Sequence, residues 1–191
     1  MKLKFKWILF SLMTAFSQIS LGDESLNKFI DLHQKEYQQL ALKIWELAEV
    51  GYQEHMSSTL LQESLSSKGF KIETLPYMPT GFIAEYGEGD PVIAILGEFD
   101  ALPGISQSSS PFKEKYKNNT AGHACGHHLF GAGSAWSAVT VKEWLSKNNR
   151  TGTIRFYGTP AEEGGSGKVY MVREGLFDDV DVVLHLSLIH I

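Results

Sequence analysis

Hydrophobic positions change their spacing several times along the chain, and each change predicts an element. Between residues 23 and 50, Leu26, Phe29, Ile30, Leu40, Ile44 and Leu47 recur at helical spacing, Asp23 or Ser25 can cap the start, and Gly51 is placed to end the helix. A second helix is expected from Ser57 to Ser67, stopped by Gly69. Phe70–Leu75 and Gly81–Tyr86 alternate as exposed strands do. The alternation then gives way to a continuous apolar run, Val92-Ile-Ala-Ile-Leu96, the mark of a strand buried on both faces. His127–Leu145 reads as a long, mostly apolar helix, Thr153–Tyr157 as a strand, Lys168–Glu174 as a helix stopped by Gly175, and Val180–Leu186 as a third buried strand. Buried strands alternating with helices predict an α/β fold with an open, mainly parallel sheet flanked by helices. Ligands bind such sheets at the carboxyl ends of the strands. That edge would gather Gly97-Glu-Phe-Asp100, Gly158-Thr-Pro-Ala-Glu-Glu163 and His185. The polar stretch Gln107–Asn119 has no period and is expected to be a mobile loop near the mouth of the site.

The first 22 residues stand apart. Lys2, Lys4 and Lys6 precede an apolar run from Trp7 to Phe16 and a short, small or polar stretch ending at Gly22. This is the three-part pattern of a secretory signal peptide, so an exported protein, periplasmic or secreted, is expected. The apolar run is too short to span a bilayer comfortably, and nothing later is long enough. Cleavage removes three lysines and no acid, taking the formal net charge from −5 to −8. With no basic patch, a nucleic-acid partner is not expected. The composition, 43% hydrophobic and 20% charged, is that of a globular chain able to build a core. Cys125 is the only cysteine, so no internal disulfide can form, and its thiol is buried, metal-held or reactive.

The chemistry concentrates in His123-Ala-Cys-Gly-His-His128. Cys125 and His127 stand two apart at a helix entrance; thiolate and imidazole are good zinc ligands and acceptable ones for manganese, and Gly126 lets the backbone turn around an ion. Taken alone, the pair is as consistent with a buried core. Glu162-Glu163 strengthens the metal reading, because two adjacent carboxylates at the end of a buried strand are costly unless paired or metal-bound. One of them would ligate an ion and the other act as general base; the competing reading is a solvated loop pair. Asp100 can orient a histidine or ligate metal directly, while Glu98 is read as a surface acid. Gly164-Gly-Ser-Gly-Lys168 imitates a phosphate loop, but Glu162 and Val169 stand where that loop needs Gly and Ser or Thr.

Three segments together carry a family resemblance: Gly97-Glu-Phe-Asp-Ala-Leu-Pro103, Gly122-His-Ala-Cys-Gly-His-His128, and Gly158-Thr-Pro-Ala-Glu-Glu-Gly-Gly-Ser-Gly-Lys168. They resemble the aminoacylase/carboxypeptidase-type metal-dependent amidohydrolases, most of all the p-aminobenzoyl-glutamate hydrolase branch. Trp45-Glu-Leu-Ala-Glu-Val-Gly-Tyr-Gln-Glu54 and Met171–Asp179 fit that branch as well. The resemblance covers residues 26–186. It implies a catalytic domain with two divalent metal ions, zinc or manganese, a smaller inserted domain that makes the full-length form a homodimer, and hydrolysis of an amide between an acyl or aroyl group and an amino acid. Carried over by position, Cys125, His127 and Glu163 are metal ligands, Glu162 is the general base, and Asp100 has an orienting or catalytic role; His123 and His128 support them.

The match breaks near the end. A histidine ligand implied six residues after Asp181 falls on Ser187, and His185 falls at a position read as a non-ligand. Residues 187–191 are read as a non-native tail, and residues 23–186 as the N-terminal part of the catalytic domain. As it stands the chain is therefore expected to bind metal weakly and to be inactive. Two rivals remain: a metal-free hydrolase using Cys125 with His123 or His127, and a non-catalytic binding protein on the same scaffold. The first leaves Glu162-Glu163 unexplained; the second has no need of a general base.

Overall fold

The structure, a computed structural model, describes residues 24–188. The expected leader at residues 1–22 lies outside them, as does most of the expected tail. Contacts divide the chain into two compact units, residues 1–33 and 34–191. Of the first, the described part is the opening of helix α1 (Glu24–Leu47), where the Phe29 and His33 rings lie 4.6 Å apart.

In the second unit α1 buries Tyr37, Leu40, Ala41 and Ile44, a stripe at the three- and four-residue spacing of a helix face. It ends at Leu47, four residues before Gly51, because Ala48 already takes a left-handed conformation (φ 46°). Helix α2 (His55–Ser67) begins two residues earlier than expected. Its first turn is capped from outside by Glu49, whose carboxylate accepts the Met56 and Ser57 N–H groups at 3.1 and 2.8 Å.

A five-stranded sheet follows: β1 (Lys71–Leu75), β2 (Met78–Glu88), β3 (Val92–Glu98), β6 (Gly152–Thr159) and β7 (Val182–His185). A separate short hairpin is formed by β4 (Leu102–Pro103) and β5 (Ala121–Gly122). The order across the sheet is β1-β2-β6-β3-β7. β2 is antiparallel to both β1 and β6, while β6, β3 and β7 run parallel. Four of the five strands thus point the same way, the open, mainly parallel sheet expected from the hydrophobic pattern. Helix α3 (His127–Lys147) packs on β3 and β6, and α2 packs on β2. The opposite face is closed by Met171 of helix α5 (Gly167–Arg173), which joins Leu75, Met78, Ile83, Ala94, Leu96 and Tyr157 in one buried cluster.

Two strand assignments change. Gly81–Tyr86 is not an exposed strand: it is the middle of β2, which lies between β1 and β6, with Phe82, Ile83 and Ala84 all buried because both faces are covered. Val180–Leu186 is not a buried strand: β7 is shorter, pairs with β3 on one side, and leaves Val182, Val183 and Leu184 about half exposed. The stretch Gln107–Asn119 is laced by its own hydrogen bonds, Gln107 to the Phe112 carbonyl and Ser108 to Glu114. It is tied to α1 through Tyr116 and Asn119, which bond Glu46.

Candidate metal centre

The parallel strands deliver their carboxyl ends to one edge. Register sets Glu98 beside Thr159, and Leu96 beside His185. From that edge the chain runs on through Phe99 to Asp100, and beyond β6 through Pro160 and Ala161 into a four-residue helical turn, α4 (Glu162–Gly165). Helix α3 starts there too, with Gly126 left-handed (φ 77°) immediately before His127. Cys125, His127, Asp100, Glu162 and Glu163 come together at this edge, drawn from three separate chain segments.

His127 is the hub. It is buried, and its two nitrogens face different partners. Nδ1 lies 2.9 Å from Asp100 Oδ1. The other Asp100 oxygen accepts the Glu163 backbone N–H at 2.9 Å. Asp100 therefore fixes both the imidazole and the turn that carries the glutamate pair. Nε2 faces three carboxylates, Glu98 at 3.2 Å, Glu163 at 3.7 Å and Glu162 at 3.8 Å. Burial alone would lower the His127 pKa, but the hydrogen bond to Asp100 and the charges of Asp100, Glu98 and Glu163 outweigh it, and the net shift is upward. Burial would raise Asp100; the His127 and Glu163 N–H contacts prevail and hold it below the ordinary carboxylate value. The hydrogen bond from Cys125 to Glu163, with burial added, pushes the thiol up to about 11.

One donor atom each from Cys125, His127 and Glu163 lies within 4.8 Å of the others, and a second grouping joins Glu98, His127 and Glu162. Ligands about 2.0–2.3 Å from a tetrahedral ion lie about 3.5 Å from one another. His127 Nε2 and Glu163 already lie 3.7 Å apart, close to that spacing. The charge balance points the same way. Four carboxylates and a thiol converge on one imidazole, and the Lys168 ammonium on Glu98 offsets only part of that negative charge, a costly arrangement that a divalent ion would relieve. Sulfur, nitrogen and oxygen donors in this mixture suit a divalent transition metal.

Glu98 is a correction. Far from a surface acid, it is 3% exposed. One oxygen is held by Lys168 Nζ and by His185 Nε2 at 3.0 Å, and the other faces His127. The strand's own period carries the signal: Ala94, Leu96 and Glu98 share one face of β3, and the first two are buried. Lys168 and His185 join the site with it; the sequence places His185 at this edge but reads it as a non-ligand, and it does not mark Lys168 as a site residue. Lys168 stands out there only within a phosphate-loop imitation, and the contact of His185 depends on the pairing of β7 with β3. His123 and His128 stand apart from both donor groupings. Burial holds each near pKa 4, with the His123 ring against the Ile44 carbonyl at 3.1 Å.

A mainly parallel α/β sheet with an acidic Cys/His cluster at its strand ends defines a protein with a candidate metal centre. The chain belongs to peptidase family M20/M25/M40, whose model matches residues 94–190. Among curated proteins it is 45% identical over 159 residues to a p-aminobenzoyl-glutamate hydrolase chain of Escherichia coli, covering 81% of this chain and 33% of that one. It is 30% identical over 155 residues to the hippurate hydrolase of Campylobacter jejuni, covering 81% and 39%. Among solved structures it is similar to the Bacillus subtilis YXEP protein, a dinuclear metal binding peptidase from the M20 family. That match has a TM-score of 0.66 at 28% identity and covers 81% of this chain and 44% of that one. The chain thus spans well under half the length of these relatives.

Proposed function

We propose that the protein is a metal-dependent amidohydrolase that cleaves the amide between an acyl or aroyl group and an amino acid. The observation that carries this reading is the convergence of Cys125, His127 and Glu163 donors beside the Glu162 carboxylate, which reaches within 3.8 Å of the same His127 nitrogen. Cys125, His127 and Glu163 would hold the ion, zinc or manganese. A second ion is supported by the dinuclear Bacillus subtilis relative. When bound, the metal supplies polarisation of the amide carbonyl and a lowered water pKa.

The chain's own groups do the rest. Asp100 fixes the His127 ring through Nδ1, leaving Nε2 free to ligate. Glu162, at 44% side-chain exposure, is open to substrate in a way that Glu98 is not. Its carboxylate takes the proton of the attacking water and returns it to the leaving amine. A cleft lined by Val50, Tyr52, Ala101, Pro103 and Glu163 opens beside the pair, with apolar wall enough for an acyl or aroyl group. The substrate class is supported by the named activities of the Escherichia coli and Campylobacter jejuni relatives. Export, read from residues 1–22, belongs to the same proposal and is checked by fractionating cells for a processed form.

The reading is tested with the longest form the gene encodes, on a panel of N-acyl and N-aroyl amino acids. Glu162→Gln is expected to cut kcat by about 100-fold or more, the scale of a lost general base, while zinc affinity stays within a few-fold. Full turnover by Glu162→Gln would sink the assignment. The thiol-nucleophile alternative fares poorly on geometry: Cys125 is bonded to an acid and its pKa is raised, whereas a nucleophilic thiol needs a depressed one.

A further inference from the structure

The glutamate pair sits on a turn that the local sequence does not favour. α4 is four residues long, and both flanking residues, Ala161 (φ 55°) and Ser166 (φ 53°), are left-handed without being glycine. Such conformations persist only where surrounding contacts enforce them. Here several of the contacts come from one short segment, residues 51–54, more than a hundred positions earlier.

Gly51 packs directly under the turn: a Cβ there would lie 3.0 Å from both Ala161 Cα and Cβ, tighter than ordinary contact, so a side chain at 51 would press on the turn. Tyr52, itself left-handed (φ 63°), donates its hydroxyl to the Gly165 carbonyl at 2.6 Å. Glu54, with no exposed surface, accepts the Ala161 N–H at 2.8 Å. The two side chains grip the turn at opposite ends, Ala161 before Glu162 and Gly165 after Glu163. On its other side the turn is held by the Glu163 N–H to Asp100. A fully buried carboxyl is an expensive way to hold a turn's amide unless that amide's position matters.

We propose that Tyr52 and Glu54 are positioning residues for the Glu162–Glu163 pair, clamping α4 at both ends so that the two carboxylates face His127. This rests on the reading of Glu162 as base and Glu163 as ligand. Glu54 is fully buried, and Tyr52 lines the cleft with its ring; each acts on the glutamate pair through the backbone of the turn.

Tyr52 is 42% exposed, so Tyr52→Phe leaves the core intact and removes one hydrogen bond. Kinetics on an N-acyl amino acid and equilibrium dialysis with zinc read the consequence. The expected result is a kcat reduced about tenfold and a zinc Kd raised about tenfold, the scale of one lost hydrogen bond, with KM within about twofold because the ring that lines the cleft is kept. Glu54→Gln keeps an acceptor for the Ala161 N–H and is expected to stay within about threefold of the parent in kcat. Glu54→Met, which keeps the volume and loses the acceptor, is expected to fall as Tyr52→Phe does. Parent-like kcat and zinc affinity in Tyr52→Phe would overturn the proposal, as would Glu54→Gln and Glu54→Met behaving alike. If the parent, in the longest form the gene encodes, hydrolyses nothing, the hydrolase reading fails on its own. Amide exchange at Gly165 and Gly167 in metal-free protein then decides the clamp: faster exchange in Tyr52→Phe supports it, and unchanged exchange overturns it.

Discussion

Glu54 carries a second consequence at the scale of one residue. Burial pushes its carboxyl up from 4.5 to about 7; the backbone N–H groups of Glu54 and Ala161 work against that rise, and the charge of Asp100 adds to it. Below about 4.5 the group is protonated in folded and unfolded chains alike. Between about 4.5 and about 7 the folded chain keeps a proton that the unfolded chain has lost. Stability therefore falls as pH rises through that window, by an amount on the order of 3 kcal/mol in full. Urea unfolding of metal-free protein at pH 5 and pH 8 measures this. Glu54→Gln is expected to gain on the parent between the two pH values; a difference between them that does not move with pH would contradict the assignment. Residues of this kind are hard to read from sequence. Cys125, His127 and the Glu162-Glu163 pair announce themselves by spacing and by the unusual loop around them. Glu54 and Glu98 are single acids in ordinary surroundings, and what buries them arrives from Ala161 and Lys168, far along the chain.

At the scale of elements, the site depends on how closely α3 can lie on β3. Gly131, one turn into the helix, makes that approach: a Cβ there would lie 2.7 Å from the Glu98 carbonyl oxygen. Gly131→Ala must push the helix start, and with it His127, away from Glu98 and Asp100. Overpacking of this kind costs about 1–3 kcal/mol. The expected outcome is a lowered urea midpoint together with zinc binding weaker by more than the loss of stability alone explains. Parent-like zinc affinity in a destabilised Gly131→Ala would show that helix and strand need not be this close for metal binding. Elements are legible where pattern and environment agree. The apolar run of β3 and the long helix from His127 both fall where the periods put them. β2 misleads because Gly81–Tyr86 has the alternating character of an exposed strand, whereas α2 covers one face and the Met171 cluster the other. β7 misleads in the opposite sense. Val182-Val-Leu184 is apolar enough to be buried twice, but burial depends on what lies alongside, and among the described residues only β3 does.

For the molecule as a whole, the mostly shared strand direction follows from alternating strands and helices, while the order β1-β2-β6-β3-β7 does not, because it depends on which edges meet after the chain has crossed over twice. That order brings β3, β6 and β7 side by side and so gathers acids from distant segments at one edge. The folded chain carries the resulting repulsion, and the unfolded chain does not. A divalent ion that binds only the folded form should therefore stabilise it by mass action, by about 2.7 kcal/mol at a hundred times its Kd. For a chain of this size that corresponds to a rise in Tm of about 5–10 °C. Thermal melts with increasing zinc, reversed by EDTA, measure the effect. His127→Ala removes the one imidazole common to both donor groupings and is expected to abolish the shift. Cys125→Ala, which spares His127 and Glu163, is expected to leave a smaller one. An equal zinc shift in parent and His127→Ala would place the ion somewhere other than this strand edge and would remove the physical basis for reading it as a metal centre.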